Sequence, residues 1–356
     1  MPINIYLPEA TGQPVQEKIK QGDNMAKKEK EKLHRTTIGG QALIEGIMMK
    51  GPEKTAMAVR KKDGEIVIEE KENKQRKWYN KAPFIRGTIN FVSQLADGYY
   101  YLSRSAELSG MADDEEEEMS KFEKWLDDKF GDKLMGAIMT IAMVLGIGLA
   151  IVLFVFVPTW LFMLIQYLVG TAADLSPFQS LFEGILKIII FITYMWVVSK
   201  MASIRRTYEY HGAEHKTIFC YEKGLELTVA NVKPQTRFHP RCGTSFIFLV
   251  LLISILIYSV VPITNQMFID TFGVTDTIAM ILRVSCKILL LPVIVSISYE
   301  VIRLAGRYDN ILTKIISAPG LWLQRLTTKE PDESEIEAAI AAMKAVIPAD
   351  KESDKW

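Results

Sequence analysis

Residues 210–216 read Tyr-His-Gly-Ala-Glu-His-Lys, and residues 239–243 read His-Pro-Arg-Cys-Gly. The 356-residue chain has only four histidines and three cysteines, yet three of the histidines and two of the cysteines lie between positions 211 and 242. His211 and His215 are four residues apart, so on a helix their imidazoles share one face and can converge on one ion. The density and spacing of these side chains predict a metal site.

The second segment supplies His239 and Cys242, separated by a proline and an arginine and followed by a glycine, in the manner of a zinc knuckle with one thiolate replaced by imidazole. If His211, His215, His239 and Cys242 all bind zinc or another divalent metal, the site is closed and structural. If one of the four residues does not bind the metal, a water molecule can take the open coordination position. Glu214, in the order His-x-x-Glu-His, can then act as general base on that water. Without a metal, the histidines would bond loop carbonyls and the cysteine would simply be buried.

Charge and hydropathy divide the chain into soluble flanks and an apolar middle. Lysine plus arginine equals aspartate plus glutamate at 42 each, but the charges concentrate in the first 133 residues and the last fifty. This pattern predicts a mainly α-helical integral membrane protein. We place four spans at residues 136–157, 182–201, 245–261 and 278–304, with a break at Pro158 and residues 160–167 at the interface.

The loops predict the orientation of the spans. Segments 171–182 and 262–277 contain no lysine or arginine, whereas residues 202–244 contain seven. The positive-inside rule therefore puts the histidine loop and both termini in the cytoplasm. Because topology explains the basic loop, no nucleic-acid partner is expected.

The flanks divide further. Residues 1–33 are polar and predict a disordered tail, and residues 34–133 predict a cytoplasmic α+β region. In that region, the glycine-rich block 38–51 is either a compact loop touching another part of the protein or a packed strand and turn, residues 55–70 form a hairpin, and residues 83–109 form an amphipathic helix. The four-helix domain covers residues 134–305, and residues 306–356 predict amphipathic helices at 310–326 and 334–347 with a polar tail.

Charged side chains inside the predicted spans are a second indication of a functional or paired site, because ionisable groups in hydrocarbon are costly. Lys187, Arg283 and Lys287 lie toward one side, where they can pair with nearby carboxylates, snorkel, or bind an anionic lipid phosphate. Glu300 lies near the other end of the fourth span, where it can reach the histidine loop.

Residues 39–49, 210–216 and 239–246 together resemble the signature blocks of the YqhQ-like family, bacterial membrane proteins predicted to be metal-dependent whose function is uncharacterised. The resemblance extends over roughly residues 35–328 and implies a bacterial plasma-membrane location. It also implies that the glycine-rich block belongs with the metal cluster. Additional site candidates are Gln41, Glu45, Cys220, Lys216 and Arg241.

Two functions from different classes fit these features. The favoured one is a non-enzymatic membrane factor, such as an accessory subunit of membrane-protein insertion, in which the metal fixes the 202–244 loop and the partners are the lipid bilayer and another membrane protein or complex. The alternative is a zinc-dependent membrane hydrolase that uses Glu214 as base on a peptide or a lipid-linked substrate. Transport is a weaker alternative, supported only by the charged residues within the spans.

Overall fold

The computed structural model describes residues 34–73, 77–80, 82–110, 141, 144–170, 175, 178–261, 263–308 and 310–355. The strands are β1 (Gly39–Leu43), β2 (Gly46–Lys50), β3 (Lys54–Arg60) and β4 (Ile66–Glu72). The helices are α1 (Ile85–Ser109), α2 (Val157–Val169), α3 (Gln179–Val198), α4 (Ala202–Glu222), α5 (Val229–Val232), α6 (Gly243–Val260), α7 (Asn265–Phe272), α8 (Asp276–Arg307), α9 (Ile311–Thr327) and α10 (Glu333–Val346). The predicted tail at residues 1–33 lies outside the described residues.

Four helices in the described part of the chain are long and apolar enough to cross a membrane. They are Val144–Val169, Gln179–Val198, Gly243–Val260 and Asp276–Arg307. Many of their apolar side chains are exposed on the isolated chain, as expected for helices whose natural surroundings are lipid. The structure thus confirms a mainly helical protein with four candidate spans.

The first candidate span corrects our boundary at Pro158. A π-helical turn, Val152–Phe156, leads directly into α2, and Pro158 occupies the first turn of that helix. The Val157 amide donates to the carbonyl of Val152, so the chain absorbs the proline by widening the preceding turn and does not break. Residues 160–167 therefore continue the candidate span and do not form a separate interfacial segment.

The four strands form one antiparallel sheet in the order β1-β2-β3-β4. The glycine-rich block is the strand pair β1 and β2, and the predicted hairpin is β3 and β4, in which Arg60 pairs with Ile66. Gly64 closes this hairpin at a φ of 88°, a conformation that favours glycine. Of the two alternatives for the glycine-rich block, the packed strand and turn is observed.

Helices cover both faces of the sheet. Alternate residues of β2 and β3 face opposite ways, so Ile47 and Ala58 pack with α4 and α10 while Met48 and Val59 pack with Tyr101 of α1. Each fully buried side chain of the size of isoleucine or methionine stabilises the fold by roughly 1.5–3 kcal/mol. We call β1–β4 together with α4 and α10 the sheet module.

Helix α1 joins the sheet module to the candidate spans. A Cβ added to Gly87 would lie 2.7 Å from Cα of Ser296 on α8, so glycine allows the two helices to approach closely. Nearby, the Nε atom of Arg86 donates to the Glu300 carboxylate at 2.7 Å. Glu300 therefore binds α1 and does not reach the histidine loop, which corrects that expectation.

Asp354 and Lys355 pack back onto the sheet module. The carboxylate of Asp354 is fully buried and accepts hydrogen bonds from Thr36 at 2.6 Å and Tyr221 at 3.0 Å. Thr36 also pairs with Lys355 in an isolated antiparallel bridge. The predicted polar tail thus contacts both the segment before β1 and helix α4.

Candidate metal centre

Helix α4 places His211 and His215 on one buried face, with ring centroids 4.4 Å apart. The intervening Gly212 lets the segment after α9 come close, because a Cβ there would lie 2.0 Å from the carbonyl oxygen of Lys329. The Lys329 amide donates to the carbonyl of Tyr208 at 2.8 Å. The end of α9 is therefore held directly against the histidine turn of α4.

Backbone carbonyls fix the orientation of both imidazoles. Nδ1 of His211 lies 2.8 Å from the carbonyl oxygen of Thr327, and Nδ1 of His215 lies 2.6 Å from that of Arg237. Because a carbonyl oxygen only accepts, each Nδ1 must carry the proton. Each ring therefore presents its Nε2 as the atom that could bind a metal, once that nitrogen carries no proton.

Cys242 joins the two histidines as the residue that precedes α6. Its Sγ lies 3.1 Å from Nε2 of His211, and the donor atoms of His211, His215 and Cys242 all lie within 4.8 Å of one another. Burial raises the pKa of the Cys242 thiol, but the charges of the two histidines outweigh that effect and hold the pKa well below its usual value. Conversely, burial lowers the pKa of His211, but the Cys242 sulfur raises it overall to about 9. The two histidines therefore favour the thiolate of Cys242, the form that binds metals.

Glu214 connects this cluster to the glycine-rich block. Its Oε1 accepts a hydrogen bond from the Gly40 amide at 3.0 Å, and burial raises the pKa of its carboxyl. A Cβ on Gly40 would lie 3.0 Å from Cδ of Glu214 and 2.6 Å from the carbonyl oxygen of Met48. The block thus folds against the histidine turn, and the backbone of Gly40 makes the contact.

His239 lies beside the cluster but contacts a different set of residues. Its ring centroid is 5.5 Å from that of His215, while its Nε2 lies 3.8 Å from a carboxylate oxygen of Glu222 and 3.3 Å from Arg241. Burial is the main cause that lowers the pKa of His239 to about 4, so the ring is neutral. The structure therefore brings together three of the four predicted ligands and sets His239 against the ion pair of Glu222 and Arg241.

Two buried acceptor atoms at the cluster lack a partner among the described residues. They are Nε2 of His215 and Oε2 of Glu214. A buried polar atom without a hydrogen bond costs about 1–3 kcal/mol, so native proteins rarely leave one unmatched. Two imidazoles and a thiolate, with a carboxylate beside them, form a donor set that suits zinc. The residues present therefore fit a divalent metal.

The other predicted site residues make their contacts outside the group of His211, His215 and Cys242. Gln41 packs against Gly98 of α1, and Glu45 accepts hydrogen bonds from Arg206 and Tyr210. Lys216 donates to the carbonyl of Lys233 at 2.8 Å and pairs with Glu330 at 2.7 Å, and Cys220 is buried in the core of the sheet module. The charged residues Lys187, Arg283 and Lys287 lie on α3 and α8, where Arg283 and Lys287 pair with Glu183.

Gln324 is a supporting residue that sequence analysis missed. Its Nε2 donates to the carbonyl of His239 at 2.7 Å and to Ser245 at 3.0 Å, while its Oε1 accepts from the His239 amide at 2.8 Å. This clamp fixes the turn that carries Cys242. The only signal in the sequence is an uncharged polar residue within an apolar amphipathic helix, which does not say what it contacts.

Comparisons with known proteins agree on one family. A family model described as "Protein of unknown function (DUF1385)" matches residues 82–349. The chain is 34% identical over 313 residues to the uncharacterized protein YqhQ of Bacillus subtilis (strain 168). The aligned region covers 87% of this chain and 92% of that protein. No solved structure matches the chain.

Proposed function

The chain belongs to the DUF1385 family, to which the YqhQ-like resemblance also pointed, and we propose that it is a multi-pass plasma-membrane protein with a structural metal centre. In this proposal the metal, zinc or a similar divalent ion, locks the sheet module to the membrane helices on the cytoplasmic side. The protein acts without catalysis, as an accessory factor for other membrane proteins.

His211, His215 and Cys242 would hold the ion, with Glu214 beside them as the fourth contact. Zinc bound by these residues would link distant segments of the chain, since it holds its ligands in a fixed geometry. Here the segments are α4 and the turn before α6. Hydrogen bonds extend the connection to β1 through Gly40 and to α9 through Thr327.

The observation that carries the structural role is the burial of the cluster. The exposed fractions are 9% for His211, 5% for Glu214, 1% for His215 and 7% for Cys242. A catalytic metal needs an open coordination position that a substrate can reach, whereas a structural site is closed. Burial of every donor favours the closed site.

The orientation and the accessory role rest on the charge pattern and on exposed apolar surfaces. The seven basic residues between 202 and 244 support a cytoplasmic position of the sheet module. Val92, Leu95 and Tyr99 of α1 recur at helical spacing and are 58%, 57% and 66% exposed. A row of this kind suits contact with the membrane interface or with another membrane protein.

A hydrolase is the second candidate, because Oε2 of Glu214 has no partner among the described residues and lies next to the donor cluster. Capture of interacting proteins after crosslinking in intact cells separates the two. The accessory role predicts a defined membrane protein enriched equally by wild type and Glu214→Gln, and lost with Cys242→Ser. No enriched membrane protein with the wild type would contradict the accessory role.

A further inference from the structure

A group of cations lies just beyond the end of helix α3, one of the four candidate spans. The helix has 20 residues and is therefore about 30 Å long, which equals the thickness of a hydrocarbon core. Trp196, in its last turn, is exposed, as is typical of tryptophans at a membrane interface. Lys200 follows shortly after the helix, and its ammonium lies 5.2 Å from the centre of the Trp196 ring. Lys200 therefore lies at the level of the lipid headgroups.

Lys329, although distant in the chain, joins this group because the segment after α9 packs on α4. Its amide donates to the carbonyl of Tyr208 at 2.8 Å. Burial is the main cause that lowers the pKa of the Lys329 ammonium. The charges of Arg237, Arg205 and Lys200 lower this pKa further, which places all three cations near that ammonium, since charge interactions fall with distance. The end of α3, the first turn of α4 and the segment after α9 thus bring their cations together.

The carboxylates near this group are already paired with other cations. Glu209 pairs with Arg205 at 3.2 Å. Glu330 pairs with Lys216 at 2.7 Å and with Arg237 at 3.2 Å. Among the described residues, neither lysine of the group forms an ion pair with a carboxylate. The group therefore carries more positive than negative charge, and its two lysines can bind an anion from outside the chain.

We propose that Lys200, Arg205 and Lys329 bind the phosphate of an anionic phospholipid, such as phosphatidylglycerol. The phosphodiester accepts charge-assisted hydrogen bonds from the two lysines, and the exposed Arg205 adds to the attraction. The acyl chains of the same lipid lie along the exposed side chains of Trp196 and Val197 at the end of α3, a contact that a soluble anion cannot make. No side chain of this site belongs to the metal centre, so the inference stands or falls independently of the proposed function.

The test is a titration of the full chain in detergent micelles with phosphatidylglycerol, with phosphatidylcholine of the same acyl chains and with inorganic phosphate. Native mass spectrometry measures the dissociation constant, and thermal melting measures the stabilisation. Phosphatidylglycerol is expected to bind more tightly than the other two. Lys329→Gln is expected to weaken it roughly 5-fold, as for the loss of one cation at a membrane surface. Lys233→Gln is the matched control, because that exposed ammonium already pairs with Glu333 at 2.7 Å, and it should bind as the wild type does.

A second variant covers the case in which Lys329→Gln does not fold. Lys200→Gln changes an exposed side chain and is also expected to weaken phosphatidylglycerol roughly 5-fold. A Lys329-dependent or Lys200-dependent shift with inorganic phosphate as large as that with phosphatidylglycerol would assign the site to a free anion and overturn the lipid source. Equal binding of phosphatidylglycerol by wild type and both variants, or an equal loss with Lys233→Gln, would overturn the site altogether.

Discussion

Nε2 of His211 lies 3.1 Å from Sγ of Cys242, although 31 positions separate the two residues in the chain. The contact joins the middle of α4 to the residue that precedes the third candidate span. Because the Thr327 carbonyl holds the other nitrogen of the same ring, one imidazole links three separate segments. Changes at this junction should therefore affect stability, not only local binding.

Two adjacent glycines of β1 give a matched test of the contact between the glycine-rich block and α4. A Cβ on Gly40 would meet Met48 and Glu214, whereas a Cβ on Gly39 has nothing within 4 Å. Gly40→Ala is expected to lower the free energy of unfolding by about 1–3 kcal/mol through overpacking. Gly39→Ala should change it by less than about 0.5 kcal/mol. Equal effects in denaturation experiments would contradict the close packing of β2 and Glu214 around Gly40.

Glu214→Gln tests whether this carboxylate supports a structural or a catalytic metal. The amide oxygen can still accept from Gly40, so the fold should be retained. With one charge lost beside the cluster, metal affinity is expected to fall roughly 10- to 100-fold without loss of stoichiometry at saturation. Competition with a fluorescent chelator measures this change. A hydrolytic activity in the wild type that Glu214→Gln abolishes would instead favour the hydrolase.

Gln324→Leu tests the clamp on the turn between His239 and Cys242. The variant leaves the amide and carbonyl of His239 without their buried partners. We expect a loss of about 2–3 kcal/mol in stability and weaker metal binding, because buried unpaired polar groups cost about 1–3 kcal/mol each. Thermal melting with and without added zinc measures both effects. A variant with wild-type melting would show that the turn does not depend on α9.

Glu335 makes the stability of the sheet module depend on pH. Burial raises the pKa of its carboxyl from 4.5 to about 7 in the folded protein. The folded state thus holds this proton more tightly, so the stabilisation is complete below pH 4.5 and is lost as the pH rises through 7. Glu335→Gln is expected to stabilise the protein on the order of 3 kcal/mol at pH 8 and little at pH 4.5. Glu333→Gln, on the exposed side of the same turn, should show no such difference between the two pH values.

Local patterns predicted much of this fold. The spacing of His211 and His215, the hairpin around Gly64 and the four apolar spans all depend on residues near one another in sequence, and the structure has each of them. The continuation of the first span through Pro158 was missed, because a proline marks a break unless a widened turn absorbs it.

The parts of the site that sequence analysis missed depend on distant contacts. His239 has the spacing of a ligand, yet its ring lies against Glu222 and Arg241. Gln324 and Asp354 are buried through contacts with segments more than 80 positions away. Nothing in the neighbouring sequence of either residue indicates those partners.

The most direct test of the structural metal centre is the metal content of the full chain, purified in detergent without chelators, for wild type, Cys242→Ser and Cys220→Ser. The account predicts about one zinc or similar ion per chain in the wild type and in Cys220→Ser, whose cysteine is also buried but lies in the core. Cys242→Ser should lose the ion and melt at a lower temperature. A wild-type protein without metal, or Cys242→Ser with a full complement, would contradict the account.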